Sequence, residues 1–500
     1  MTRSATHRAA ILLALAFTLL VGFGTSLVGP IADGFHEGEI LANRLYFQTP
    51  APLPVMIHGM MDVIPATLGS AMFGEACTAV GARTINALSG TLALLFLFVA
   101  LFRLGSGKPW FLPALVLAMA LLFLANRHAF MQQGAPAVRE LFLNACAALL
   151  ALAAGKAPRR HDLLLGCAAF IAGATLFWAY NRGVAALALV GTYALFVAVT
   201  ERSARALFVA GVTGAVGLAI NLAWSPALFR AHLASMAYWQ EHQSIWHLST
   251  RELLPWTTAI ACAGLLLGAG LIALWRGRSG GRPGALVAAC AVAGSLVLAS
   301  SLNRLDMIHA WMIVPYALLA GFGLLALADQ GGARQAPAPA TFSPELMLAA
   351  AGLIVAAQLW TARHAIADNA AAMIGGLPTD RHLADPAYVR VADRLRASGT
   401  RCTLAFDNQS IVNHLSAIPP CSAFLVPIYA QGAGERRMLA DLQGARPDMI
   451  VLRSGSVYFR LDDRPQPERT PLLARWLAAS YVPVAEIDGF VLARRRPSAP

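Results

Sequence analysis

Long apolar runs separated by short polar loops occupy the first 365 residues of this chain. A bilayer-crossing helix needs about 17–25 predominantly apolar residues. Runs near 9–28, 79–102, 110–125, 136–154, 162–180, 183–200, 204–224, 255–275, 284–302, 308–328 and 343–362 fit that requirement, the third and sixth being the shortest. The pattern therefore predicts about eleven transmembrane helices. Residues 63–74 are apolar but too short to span, which predicts an interfacial or re-entrant segment.

Beyond Ala362 the pattern becomes that of a soluble α/β domain. Helical periodicity is expected at 385–398, near 434–443 and near 470–480. Strands are expected at Cys402–Phe406, at Asp448–Arg453, and in a terminal hairpin of 482–486 with 489–493 across Ile487-Asp488. The expected fold class is a polytopic α-helical membrane protein with a small C-terminal α/β domain. The expected division is a transmembrane domain over 1–365, whose first outer loop (29–78) carries interfacial helices, and an outer domain over 366–500. About 120 residues suffice for a domain to hold its own core.

Composition agrees with a membrane protein. The chain is 57% hydrophobic and 13% charged with a mean hydropathy of +0.60, against roughly a quarter charged in soluble domains. Its net charge of +12 could suggest nucleic acid, but the basic residues sit largely in short loops between apolar runs. There they act as topology determinants. With the N-terminus inside, inner loops carry Arg103 and Lys108, Lys156 with Arg159 and Arg160, Arg202 and Arg205, Arg276 to Arg282, and Arg334. Outer loops carry Asp33, Glu37, Glu39, Asp62, Glu75, Glu241, Glu252 and Asp306. An odd number of spans then puts the C-terminal domain outside. The apolar first helix is read as an anchor rather than a cleaved signal peptide, because it lacks a small-x-small cleavage site.

The candidate chemistry lies in the outer loops. Asp33, Glu37 and Glu39 fall within seven residues just past the first span, and His58 and Asp62 follow. Carboxylates beside a membrane are costly, and a lowered local dielectric moves them towards the range useful for a base. The plain alternative is that these acids only mark a solvated outer loop. If 36–46 is a helix, His36, Glu39 and Asn43 share one face and Glu37 and Leu41 another. Asn-Arg recurs at outer span ends as Asn43-Arg44, Asn126-Arg127, Asn181-Arg182 and Asn303-Arg304. Arginine there opposes the positive-inside bias. It serves either headgroup contact or a phosphate-bearing lipid, which guanidinium binds bidentately. Arg182, after Tyr180 and Asn181, and Arg304, before Asp306 and His309, are the phosphate candidates.

The outer loop 225–254 adds His232, Tyr238, Trp239, Glu241, His242, Trp246 and His247. These are belt aromatics or, less simply, sugar-stacking surfaces. Cys402 and Cys421 are placed where a disulfide is permitted, while spacing alone leaves the pairing open. Zinc spacing, a Walker loop, a dinucleotide fingerprint and a nucleophile elbow are all missing from the sequence.

Together these features resemble the GT-C superfamily of membrane glycosyltransferases, in particular the protein mannosyltransferase and lipid A aminoarabinose transferase branch. The residues that carry the likeness are Phe35-His-Glu-Gly-Glu39, His58-Gly59 before an apolar run, and Phe73-Gly-Glu75 followed by Ala82-Arg83. Further along they are Tyr180-Asn-Arg-Gly183, Asn303-Arg-Leu-Asp306 through His309, Pro447–Leu452 and Tyr481–Arg494. The resemblance implies a GT-C-like fold in a bacterial inner membrane, with the outer side periplasmic. It implies inverting transfer of a sugar from a polyprenyl-phosphate donor to an envelope glycan, lipid or protein acceptor. By position Glu37 corresponds to the catalytic acid, with Asp33 and Glu39 as alternates. His36, His58, Asp62, Tyr180, Asn181, Arg182, Arg304, Asp306 and His309 would contact substrate.

No cofactor is specified, and a divalent cation is compatible with the acidic loop. Membrane lipids are expected partners and nucleic acid is not. Two departures from the family stand out: its paired acids read His36-Glu37, and its aromatic stretch before His58-Gly59 reads Thr49–Pro54. The competing reading is a non-catalytic protein for glycolipid translocation or polysaccharide assembly, such as a flippase or a polymerase or ligase partner. A transporter would place charges near the midplane or show repeated halves. Here the charges collect at outer ends.

Overall fold

The computed structural model describes residues 3–31, 36–47, 53–125, 136–242, 253–302, 305, 307–330, 343–406, 408–453 and 465–497. Each of the eleven expected spans falls on a helix. Among the described residues, eight helices are long and apolar enough to cross a membrane: Ser4–Phe23, Glu75–Gly105, Tyr180–Glu201, Arg205–Trp224, Leu253–Arg276, Gly281–Leu302, His309–Asp329 and Pro344–Gly375. The other three are the helices Phe111–Ala125, Leu141–Ala153 and Pro158–Ala174, of 15, 13 and 17 residues. At a rise of about 1.5 Å per residue they reach only about 20–26 Å, short of a roughly 30 Å hydrocarbon core.

The chain divides into two compact units. The first comprises residues 1–26, 86–226 and 249–367. Its core is built mainly from alanine and leucine, among them Ala118, Leu122, Ala147, Leu150, Ala185 and Leu189. Small residues set its closest helix contacts. A Cβ on Gly173 would lie 2.2 Å from the Gly214 carbonyl oxygen, and one on Gly217 would lie 2.3 Å from that of Phe170. Helices Pro158–Ala174 and Arg205–Trp224 can therefore approach backbone to backbone, the packing that membrane helices favour.

The second unit comprises residues 27–85, 227–248 and 368–500. The first loop and the C-terminal segment fold here as one body with shared cores. In one core Ile40, Leu41, Ala79 and Val80 pack with Leu383, Val391, Ile411 and Leu492. In the other, Ala42 and Tyr46 pack with Leu404, Phe424, Tyr429 and Ile450. Burying an aliphatic side chain of this size stabilises by about 1.5–3 kcal/mol, so the loop is held firmly.

Among the described residues the sheet has three antiparallel strands, β1 (Met449–Arg453), β2 (Tyr481–Ile487) and β3 (Phe490–Arg495), in the order β1-β3-β2. Three of these strands were expected from the alternation of the sequence. The fourth, Cys402–Phe406, does not form a strand. It makes isolated parallel bridges, Thr403 to Pro420 and Ala405 to Val451. Two backbone bonds hold it beside β1 before the chain turns away through Asn408, at φ 65°, into the helix Ile411–Ser416.

Cys402 and Cys421 form a disulfide with their Cα atoms 5.2 Å apart. It closes a loop of sequence separation 19, for which loop-closure entropy predicts about 3 kcal/mol of stabilisation. The paired Cys402→Ser/Cys421→Ser variant should lose about that amount in denaturant unfolding monitored by Trp fluorescence. Unchanged stability would show that the bridge constrains nothing the packing does not already hold.

Asp380 ties the two sequence ends of this unit together. Its carboxylate accepts from the backbone N–H groups of Thr78 (3.1 Å) and Ala79 (2.9 Å), the first residues of the helix Thr78–Gly105. A carboxylate at a helix N-terminus satisfies orphan amides and complements the helix dipole. The His414 Nε2–H donates to the same carboxylate at 2.7 Å.

Candidate functional site

The acidic motif forms the helix His36–Asn43, with Glu37 and Glu39 in its first turn. Acids there suit the helix dipole. Gly38 between them is required by packing, since a Cβ at that position would lie 2.5 Å from the backbone nitrogen of Ile411. Glu37 and Glu39 are both buried.

Glu37 is gripped by Arg83, whose Nε donates to Oε1 at 2.5 Å and Nη2 to Oε2 at 2.9 Å. The same guanidinium donates to three backbone carbonyls where the chain leaves the first span. Nη1 bonds Leu27 O (3.0 Å) and Gly29 O (2.6 Å), and Nη2 bonds Pro30 O (3.3 Å). An arginine has five N–H donors, and these five bonds use them all. Arg83 therefore has nothing left to offer a substrate phosphate. It fixes both ends of the stretch that contains residues 31–36.

His58 and Asp62 form a second pair. The His58 Nδ1–H donates to Asp62 Oδ1 at 2.8 Å, and the His58 backbone N–H donates to Oδ2 at 2.9 Å. Asp62 is buried, whereas the His58 side chain is 26% exposed. The turn Met60–Asp62 packs against the acidic helix. The segment just before His58 is pinned from two directions. Val55 N–H donates to Ala423 O at 2.8 Å, and the Trp239 indole N–H donates to Met56 O at 2.7 Å.

Trp239 and its neighbours belong to the helix Pro226–Glu241, whose residues from 227 onward fold with this unit. Tyr238 donates to Tyr429 O at 2.6 Å and stacks on His242 with centroids 4.1 Å apart. Burial pushes the Tyr238 phenol up to about 12. Tyr46 donates to Ser422 O at 2.5 Å. Burial, with Asp441 and Glu39 nearby, pushes its phenol well above the usual tyrosine range. Both phenols thus serve as hydrogen-bond donors, not bases. Tyr429 Oη lies 3.5 Å from Glu39 Oε2.

The Tyr180-Asn181-Arg182 motif opens the helix Tyr180–Glu201 in the other unit. Arg182 is buried, and its Nε donates to Glu140 Oε1 at 2.7 Å. Its Nη2 has no protein partner among the described residues. Asn181 Nδ2 lies 3.5 Å from Ser300 Oγ. That contact brings the motif to the end of the helix Gly281–Leu302 that leads towards 303–309. His309 sits in the short helix Met307–Trp311. Asp33, Arg304 and Asp306 lie outside the described residues, as do Trp246 and His247. His36 begins the acidic helix, and its backbone alone is described. Among the described residues there is no group of three or more His, Cys, Asp or Glu side chains placed to hold a metal ion.

Sequence reasoning missed Arg83 as the partner of Glu37, Glu140 as the partner of Arg182, and Asp380 as a cap. A charged residue near the mouth of an otherwise apolar helix was the available signal for Arg83, because such a charge needs a partner.

The chain thus has the build of a polytopic helical membrane protein carrying a small sheet-containing domain. No protein-family model matches it, and no curated protein matches it. Among solved structures it is similar to ArnT from Cupriavidus metallidurans bound to undecaprenyl phosphate, at 14% identity and a TM-score of 0.49, covering 98% of each chain. It is also similar to the Archaeoglobus fulgidus oligosaccharyltransferase, at 12% identity and a TM-score of 0.49, covering 89% of this chain and 68% of that one. At these values the likeness is distant.

Proposed function

We propose that this protein is a membrane glycosyltransferase that moves a sugar from a polyprenyl-phosphate donor to an envelope glycolipid, polysaccharide or protein. In this reading it sits in a bacterial inner membrane with its N-terminus inside and the C-terminal domain on the periplasmic side. The acceptor attacks the anomeric carbon, the phosphate leaves from the opposite face, and configuration inverts. A base in the first loop takes the acceptor's proton. By sequence position the carboxylate candidates are Glu37, then Asp33 and Glu39. Arg182 and Arg304 bind the departing phosphate, and Asn181, Tyr180, Asp306 and His309 contact substrate; the Arg182 Nη2, which has no partner among the described residues, is suited to holding phosphate.

One observation supports the reading: Glu37 and Glu39, just past the first span, are buried, Glu37 is held by the saturated Arg83, and the His58–Asp62 pair lies in the turn that packs against their helix. Ionisable groups kept in a desolvated, pre-arranged cluster beside a membrane mark a functional site more often than a bare loop.

The test is transfer from radiolabelled undecaprenyl-phosphate hexoses and pentoses by the reconstituted protein, with envelope glycolipid and glycan acceptors. Wild type is expected to transfer sugar, and Glu37→Gln is expected to abolish transfer while eluting from size-exclusion chromatography as wild type does. Full activity in Glu37→Gln would remove Glu37 from the site. Arg182→Lys, which keeps charge but loses the planar fork, should weaken undecaprenyl phosphate binding by about tenfold or more. Unchanged binding there and in Arg304→Lys would sink the phosphate role. No transfer from any donor in the panel would overturn the enzyme reading itself.

A further inference from the structure

We propose that Glu140 is the positioning residue of the phosphate site: it holds the Arg182 guanidinium by one edge and leaves another N–H free for the phosphate of the polyprenyl carrier. This inference deepens the glycosyl-transfer reading and rests on its assignment of Arg182 to the phosphate.

The observation that carries it is a difference between two buried arginine–carboxylate pairs. Arg83 grips Glu37 side-on, with Nε on Oε1 and Nη2 on Oε2, and turns its other donors to backbone carbonyls. Arg182 and Glu140 are buried as deeply, at 3% and 1% exposure, yet share a single bond from Nε to Oε1 at 2.7 Å. Arg182 Nη2 and Glu140 Oε2 have no partner among the described residues. A guanidinium taken out of water is costly unless it is paired. Glu140 therefore balances the charge while no donor lipid is bound, and fixes the plane of the fork through Nε. A side-on grip would have occupied Nη2 as well. A free N–H on a buried, already oriented cation suits a phosphate oxygen, because little side-chain freedom remains to be lost on binding.

The frame around Glu140 sets that geometry. Glu140 directly precedes the helix Leu141–Ala153, but its side chain makes no cap bond to that helix. It turns to Arg182 instead. Residues on either side of it are fastened to Trp178, in the turn ahead of the helix that carries Arg182. The Trp178 indole N–H donates to Val138 O at 2.9 Å, and its ring packs T-shaped on Phe142 with centroids 5.2 Å apart. Gly183, beside Arg182, is held against the same turn, where a Cβ would lie 2.1 Å from the Leu176 carbonyl oxygen. One turn beyond Glu140, Asn144 Nδ2 donates to Ala93 O at 3.0 Å and ties this helix to the helix Thr78–Gly105. With both backbones fixed, the reach of the Glu140 side chain decides where the fork lies.

The experiment measures equilibrium binding of undecaprenyl phosphate, and of undecaprenol, which lacks the phosphate, to the purified protein in detergent. Wild type is expected to prefer the phosphate lipid. Glu140→Asp keeps the charge but draws the fork back by a methylene. It should weaken undecaprenyl phosphate binding by about tenfold, in line with one charge-assisted hydrogen bond, and leave undecaprenol binding unchanged. Glu140→Gln keeps the reach and an oxygen for Nε, so it should bind undecaprenyl phosphate at least as well as wild type. In an Arg182→Ala background, Glu140→Asp should bring no further loss.

Wild-type binding of undecaprenyl phosphate by Glu140→Asp overturns the proposal. So does equal weakening towards both lipids, which a purely structural role would give. A further loss in the Arg182→Ala background, or a comparable loss in Glu140→Gln, overturns it too. A wild type with no preference for the phosphate overturns the proposal together with the Arg182 assignment beneath it. The expected binding pattern in a chain that transfers no sugar upholds the positioning role and sinks the transfer reading alone. If Glu140→Asp misfolds, Trp178→Phe makes the same comparison, because it frees the Val138 carbonyl and keeps both charges in place. It should weaken binding of the phosphate lipid only, and unchanged binding there overturns the proposal.

Discussion

Replacing Arg83 with methionine is expected to destabilise the unit containing the first loop by about 3–5 kcal/mol, the usual cost of removing one partner from a buried ion pair. Glu37 would be left as an uncompensated buried anion, and the carbonyls of Leu27, Gly29 and Pro30 would lose their shared donor. The size of the effect comes from what is left behind more than from the net worth of the pair. The double variant Arg83→Met/Glu37→Gln should therefore recover a substantial part of the loss, because it removes the stranded charge as well. Arg83→Lys should recover little, since an ammonium cannot reproduce five planar donors in a fixed fork. Denaturant unfolding of the purified protein, followed by Trp fluorescence, measures all three. A single Arg83→Met variant within about 0.5 kcal/mol of wild type, the range of ordinary surface changes, would show that the clamp is not what holds the loop.

Asp380→Ala is expected to be the second-largest perturbation, at about 2–4 kcal/mol. A lost helix cap costs about 0.5–2 kcal/mol, and an abandoned buried donor costs about 1–3 kcal/mol more. The residues affected are the amides of Thr78 and Ala79 and the imidazole of His414. Asp380→Asn keeps one carbonyl oxygen to accept from the helix amides and should lose only part of this. Amide hydrogen exchange localises the effect: in Asp380→Ala, exchange should speed up first at the start of the helix Thr78–Gly105 and around His414. Uniform loss of protection across the unit, or none, would argue that the cap is not a local fastening.

These two residues also mark where sequence reading stops. The apolar runs foretold a helix at every expected span, because bilayer length and apolarity are local properties that a window of residues records. The alternation of Met449–Arg453 and of the terminal hairpin was readable for the same reason. The 402–406 segment carries a strand-like pattern too, yet pattern does not say how many backbone bonds a neighbour will supply, and here it supplies two before Asn408 turns the chain. Side-chain partnerships lie further out of reach. Arg83 and Glu37 stand 46 residues apart, and Asp380 stands 302 residues from Thr78. No periodicity connects such positions. The acidic cluster stood out because its composition is odd for its setting, while the arginine that grips Glu37 did not. The His58–Asp62 pair, spaced i to i+4, was visible as two polar residues, and only the turn at Gly59 through Asp62 brings them face to face.

The mixed ancestry of the second unit has a consequence for how the protein is made. Residues 27–85 leave the ribosome long before residues 368–500, and the bonds from Thr78 and Ala79 must wait for Asp380, 302 residues behind Thr78. At about 5–20 residues per second of synthesis, that wait lasts about 15–60 s. During it the nascent loop can close its own Arg83–Glu37 bond but cannot bury Ile40, Leu41 or Tyr46 against their eventual partners. A chain truncated before residue 368 should consequently leave Ile40, Leu41 and Tyr46 without their cover, and the time in a pulse–chase at which residues 36–47 gain protease resistance would mark when they dock onto residues 368–500.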